Sequence, residues 1–136
     1  MITLLLVEDD IQVRQGLRTW LERAADITVV GETGNGVEAC ALAQALQPTV
    51  ILLDLPSSAH HGIIMTAVLH ALVPQSRIVL LSLHEGAALQ AQARAAGAVM
   101  VVGKQGGGGQ ALLEAIRQVG GQEGVCLPVT SQEVEP

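Results

Sequence analysis

Short apolar runs of strand length alternate along this chain with stretches whose apolar residues recur every three or four positions. Ile2 to Val7 is the first run, and it stops on acid at Glu8, Asp9 and Asp10. From Ile11 the period lengthens: Val13, Leu17, Leu21 and Ala24 fall on one helical stripe, Arg14, Arg18, Glu22 and Arg23 on another. Asp10 is placed to cap that helix. Ile27 to Val30 predicts a second strand, and Gly34-Asn35-Gly36 turns the chain into a helix carrying Val37, Cys40, Ala41 and Leu46, stopped by Pro48. Val50 to Leu53 is a third strand and delivers Asp54 to its end. Pro56 to Gly62 has loop composition. Ile63 to Leu72 then predicts a helix that is apolar nearly all round, so it is either buried on two sides or exposes an apolar face. Ile78 to Leu81 leads to Ser82, Ala87 to Ala96 predicts an alanine-rich helix closed by Gly97, and Val99 to Val102 ends at Gly103-Lys104. After the glycines 106–109, Ala111 to Val119 predicts a last helix with Leu112, Leu113, Ile116 and Val119 inward.

Five strands alternating with five helices imply an α/β fold, a parallel sheet with helices on both faces. At 136 residues the chain fits one domain, and 1–120 carries all the predicted elements. Residues 121–136, rich in Pro, Ser, Thr and Glu, read as a linker-like tail.

Composition narrows the function. The chain is 49% hydrophobic, with one Trp and no Tyr or Phe, so its core is aliphatic. A formal charge of -6 with seven scattered Lys and Arg argues against direct nucleic-acid binding. Cys40 and Cys126 have no metal-binding or redox spacing and suit a reduced, cytoplasmic compartment. No apolar run approaches the length of a membrane span.

Parallel strands bring their carboxyl ends to one edge, where ligands bind in such sheets. Glu8, Asp9, Asp54, Ser82 and Lys104 should meet there. Clustered acids repel unless a cation sits among them, and oxygen ligands without cysteine favour Mg²⁺.

These residues resemble the receiver domain of two-component response regulators. Val7-Glu8-Asp9, Asp54, Ser82 and Gly97-Ala98 running to Lys104 occur in the family's order. Val13-Arg14-Gln15-Gly16-Leu17, Leu81-Ser82-Leu83-His84-Glu85 and Glu114-Ala115-Ile116-Arg117 look like the subfamily with a helix-turn-helix DNA-binding output half, which this sequence does not contain. The resemblance implies a flavodoxin-like, doubly wound (βα)5 fold of strand order 2-1-3-4-5. It also implies that Asp54 accepts a phosphoryl group from a sensor histidine kinase, with Mg²⁺ held by Glu8, Asp9, Asp54 and the main-chain carbonyl of Pro56. Ser82 and Lys104 would contact phosphoryl oxygens, and the resulting shift would control an output, such as transcription. Homodimerisation on phosphorylation is a further implication. Such a domain is a phosphoacceptor and not a conventional enzyme.

The match has departures. Ser58 and His61-Gly62 replace the family's proline and Asp-Gly after the acceptor, and Pro56 constrains Leu55. Val101 stands where an aromatic switch residue is usual. Four glycines leave the last helix without a good N-cap. His60, His61, His70 and His84 read as solvated or structural, not as ligands.

Two rival functions stay open. The departures fit a receiver fold acting as an interaction module without phosphorylation. Gly34-x-Gly36-x-x-Ala39, with Asp54 twenty residues past Gly34, formally fits a dinucleotide-binding fingerprint, although it follows the second strand and lies beside acids that would repel a pyrophosphate. Gly103-Lys104-Gln105 lacks the hydroxyl residue of a phosphate-binding loop.

Overall fold

Each apolar run forms one strand of a parallel sheet ordered β2-β1-β3-β4-β5, the order implied by the resemblance. The computed structural model describes residues 1–54, 59–82, 86–103 and 109–121. The strands are β1 (Ile2–Glu8), β2 (Ile27–Thr33), β3 (Val50–Asp54), β4 (Arg77–Ser82) and β5 (Ala98–Gly103). Between and after them run α1 (Ile11–Leu21), α2 (Gly36–Leu46), α3 (Ala59–Leu72), α4 (Ala87–Ala96) and α5 (Gln110–Gly120).

Alternation along the strands divides the core in two. Leu4, Leu6, Val50, Leu52, Val79, Leu81 and Val102 face α1 and α5, where Leu21, Leu112, Ile116 and Val119 meet them. Leu5, Val7, Ile51, Leu53, Ile78 and Leu80 face the other way, against Ala39, Ala43, Leu69, Val73 and Ala93 of the remaining layer. All five residues of β3 are buried, as befits a central strand covered on both faces. Each such Leu or Ile contributes about 1.5–3 kcal/mol by leaving water.

Three boundaries differ from the sequence expectation. The first turn of α3 takes in Ala59 to Gly62, which loop composition had obscured. β2 runs to Thr33 instead of stopping at Val30, because a register shift between Leu4 and Leu5 leaves Val30 out of the pairing and sets Glu32 opposite Leu6. That bulge turns Glu32 onto the α1 face of the sheet. On α1, Leu21 is fully buried and Leu17 packs against the core, but Val13 is 42% exposed.

The helix ends follow their residues. Asp10 accepts from the amides of Gln12 and Val13, and Asn35 caps α2 in the same way. Gly97 closes α4 at φ 117°, a left-handed angle that glycine adopts without strain. The start of α5, at Gly109, has no side-chain cap. One face of α3 is buried through Thr66 and Leu69, with Val73 just past its end, while Ile64, Val68 and Leu72 are exposed, so of the two alternatives left by the sequence the helix takes the one with an exposed apolar face.

Candidate functional site at the carboxyl edge

In the sheet register Glu8 stands directly opposite Asp54. Both fall on the α1–α5 face and both are buried, with relative exposures of 0% and 1%. Two carboxyl groups at one buried point cannot both ionise cheaply. Burial pushes the Glu8 carboxyl up from 4.5 to about 8, and the neighbouring Asp54 carboxylate adds to the shift by hydrogen bonding and charge repulsion. The Asp10 amide, which donates to Glu8 Oε2 at 2.8 Å, pulls the other way. Glu8 Oε1 is buried with no hydrogen-bond partner among the described residues.

Asp9, the first residue after the strand, is exposed. As the smallest of the causes, it raises the Glu8 value further. No three Asp, Glu, His or Cys side chains among the described residues are gathered tightly enough to hold a metal ion together. The structure therefore joins Glu8 to Asp54 and leaves Asp9 at the rim. The donor chemistry fits a hard divalent ion: an orphaned carboxylate oxygen beside a second carboxylate is a site that a cation would satisfy.

Ser82 ends β4, is buried, and pairs with Gly103 one step beyond the Asp54–Leu81 pair. The hydroxyl thus comes from the strand next to that of Asp54, as the sequence suggested. Lys104 and Pro56 lie outside the described residues, as do Ser58, His84 and Cys126. Val101 is half-buried within β5 and packs on the core. His61 is exposed in the first turn of α3, and Cys40 is a free thiol. His70 is exposed too, its ring lying against Gly97.

A cleft of about 480 Å³ opens beside Asp54, between α1 and the start of α5. Leu17, Trp20, Leu81, Gly103 and Gly109 contribute to its walls, so the acid sits at the polar end of an apolar recess. Trp20 lies so close to Gly109 that a Cβ built there would stand 2.1 Å from the indole.

Sequence reasoning missed Arg14. Its Nη1 donates to the Glu8 carbonyl at 2.9 Å while its Nε donates to Glu32 Oε1 at 3.2 Å. Arg18 also pairs with Glu32. Gly34 makes room for this: a Cβ there would stand 2.7 Å from Arg14 Nη1, 3.0 Å from the Glu8 carbonyl oxygen and 3.1 Å from Asp9 Cα. Across the helix start, a Cβ on Gly36 would meet the end of the Met65 side chain. Close packing accounts for both glycines of the apparent dinucleotide fingerprint.

Comparison with known proteins agrees with the geometry. The transcriptional regulatory protein LiaR of Bacillus subtilis is 39% identical over 82 residues, 60% of this chain and 39% of that protein. The nitrate/nitrite response regulator protein NarL of Escherichia coli is 43% identical over 61 residues, 45% of this chain and 28% of that protein. The matched stretches thus span well under half of these relatives. Among solved structures, the response regulator domain of Thermotoga maritima CheB superposes with a TM-score of 0.77 at 30% identity, covering 89% of this chain and 97% of that one. A LuxR-family two-component response regulator from Aurantimonas gives 0.78 at 28% identity, covering 89% and 86%. Residues 4–119 match the family described as the response regulator receiver domain. With nearly the whole folded chain inside that match, the protein belongs to the response regulator receiver family.

Proposed function

We propose that Asp54 is the phosphoacceptor of this receiver and that phosphorylation switches the domain to control a transcriptional output. The observation that carries the reading is the burial of Asp54 at the end of the central strand, in register with a Glu8 carboxyl held far above its ordinary value. An Asp54 carboxylate oxygen attacks the phosphorus of a phosphohistidine in line. The new P–O bond forms as the P–N bond breaks, and the imidazole leaves with the electron pair and takes up a proton. Catalysis is then positioning and charge compensation.

Mg²⁺, when bound, would offset negative charge on the transferring group. Glu8, Asp9, Asp54 and the Pro56 carbonyl are the residues that would hold it. Ser82 would donate to one phosphoryl oxygen and Lys104 would pair with another. Residues 1–120 would make up the receiver, with 121–136 as a linker-like tail. The donor would be a sensor histidine kinase, the compartment cytoplasmic, and the phosphorylated form a homodimer. DNA would be reached only through a helix-turn-helix output domain.

The test is incubation with acetyl phosphate and Mg²⁺, followed by intact-mass measurement and hydroxylamine treatment. Wild type should gain one phosphoryl group that hydroxylamine removes, and Asp54→Asn should gain none. If wild type stays unmodified at saturating donor, the proposal fails. The competing reading, an interaction module that works without phosphate, draws on the open Ile64, Val68 and Leu72 face of α3. It predicts no such adduct.

A further inference from the structure

We infer that Arg14 is a positioning residue for the acidic site, acting as a brace that holds the end of β1 against β2. This inference rests on the reading of Glu8, Asp9 and Asp54 as the cation site. Arg14 approaches Glu8 from the main-chain side: one arm of its fork donates to the Glu8 carbonyl and the other to the Glu32 carboxylate. The Glu8 carbonyl belongs to the peptide that joins Glu8 to Asp9. Fixing it sets the direction in which both acids leave the strand.

Three independent features serve this contact. The β1–β2 bulge rotates Glu32 onto the α1 face, where Arg14 can reach it. Arg18, one turn further along α1, takes the second oxygen of Glu32 and so holds the anchor in place. Gly34, at the end of β2, omits the side chain that would collide with Nη1 and with the Glu8 carbonyl. The Arg14 side chain is only 18% exposed, which makes it an inward strut and not a surface charge. A planar fork with two fixed donor directions can bridge a carbonyl and a carboxylate; an ammonium on a flexible stem does so poorly.

Charge and bracing make opposite predictions. Removing a cation near an acidic site should tighten binding of a divalent ion if charge were all that mattered. Loss of a brace should weaken it, as loss of groups that orient ligands does, by about tenfold. Arg14→Met removes the charge and the fork, whereas Arg14→Lys keeps the charge and loses the fork.

The experiment is titration of the full chain with Mn²⁺ alone, free ion being counted by electron paramagnetic resonance, with folding of each variant checked by circular dichroism. Hydrogen exchange at the Asp10 amide, which donates to Glu8 Oε2, is measured on the same samples. Both Arg14 variants should bind Mn²⁺ about tenfold more weakly than wild type and should lose protection at Asp10. Glu32→Gln, which keeps Arg14 but frees its anchor, should fall between and serves if the Arg14 variants do not fold. Unchanged or tighter binding in Arg14→Met, or wild-type binding in Arg14→Lys, overturns the inference. If wild type binds no Mn²⁺, or binds as well with Asp54→Asn, the reading of the site fails instead. The two failures are therefore distinct.

Discussion

Replacing Glu8 by Gln should change how stability depends on pH more than it changes the fold. In the folded protein the Glu8 carboxyl stays protonated to about 8, against 4.5 as its ordinary value. Folding therefore favours the protonated form. The stability contributed by that preference is complete below 4.5, falls as pH rises, and is gone above about 8. At about 1.4 kcal/mol per pH unit, this span has a ceiling of about 5 kcal/mol. The effective dielectric even of buried sites is well above that of a dry interior, which brings the expected loss to about 2–3 kcal/mol. Gln is nearly isosteric, cannot ionise, and its carbonyl can still accept from the Asp10 amide. Urea unfolding in chelated buffer, followed by far-ultraviolet circular dichroism from pH 5 to 9, measures the difference directly. The two proteins should be close in stability at pH 5, with Glu8→Gln ahead by about 2–3 kcal/mol at pH 9. Subtracting the curves cancels the other titrating groups. Parallel curves over the whole range would refute the argument that burial against Asp54 holds the Glu8 proton.

Other substitutions probe the packing around the edge. Gly109→Ala drives a methyl into the Trp20 ring and should cost about 1–3 kcal/mol in urea unfolding, because a contact of 2.1 Å is relieved only by moving the indole or the start of α5. At Gly97→Ala the left-handed φ of 117° and the His70 ring 2.4 Å from the new Cβ act together, for an expected loss of about 2–4 kcal/mol. Asp10→Ala removes the α1 cap and should lower stability by about 1 kcal/mol in the same assay, with no change in the secondary-structure signal.

The strands were readable because burial on both faces leaves uninterrupted apolar runs, and β1, β3 and β4 are of that kind. Their terminal acids and hydroxyl could be gathered from topology alone, since a parallel sheet sends every carboxyl end to one side. What sequence could not show was the division of labour among the acids. Periodicity treats Glu8 and Asp9 as a pair, whereas the pleat turns Glu8 inward opposite Asp54 and leaves Asp9 in water. Arg14 was hidden for a related reason. On a helical stripe it looks like any solvated charge, and its value comes from Glu32, which only the bulge brings to the same face. Gly34 invited a nucleotide reading because a glycine that yields to an arginine looks, in sequence, like one that yields to a phosphate.

Trp20 is the only tryptophan in a chain without tyrosine or phenylalanine, and it stands in the cleft beside Asp54 and against the uncapped start of α5. Natural composition has thus placed a single intrinsic fluorophore at the joint between the acidic edge and the last helix. Emission from the unlabelled protein arises from that one ring, free of tyrosine background. A change of local polarity there, on divalent-ion binding or on treatment with acetyl phosphate, can be followed in real time by its wavelength and quenching without adding a dye.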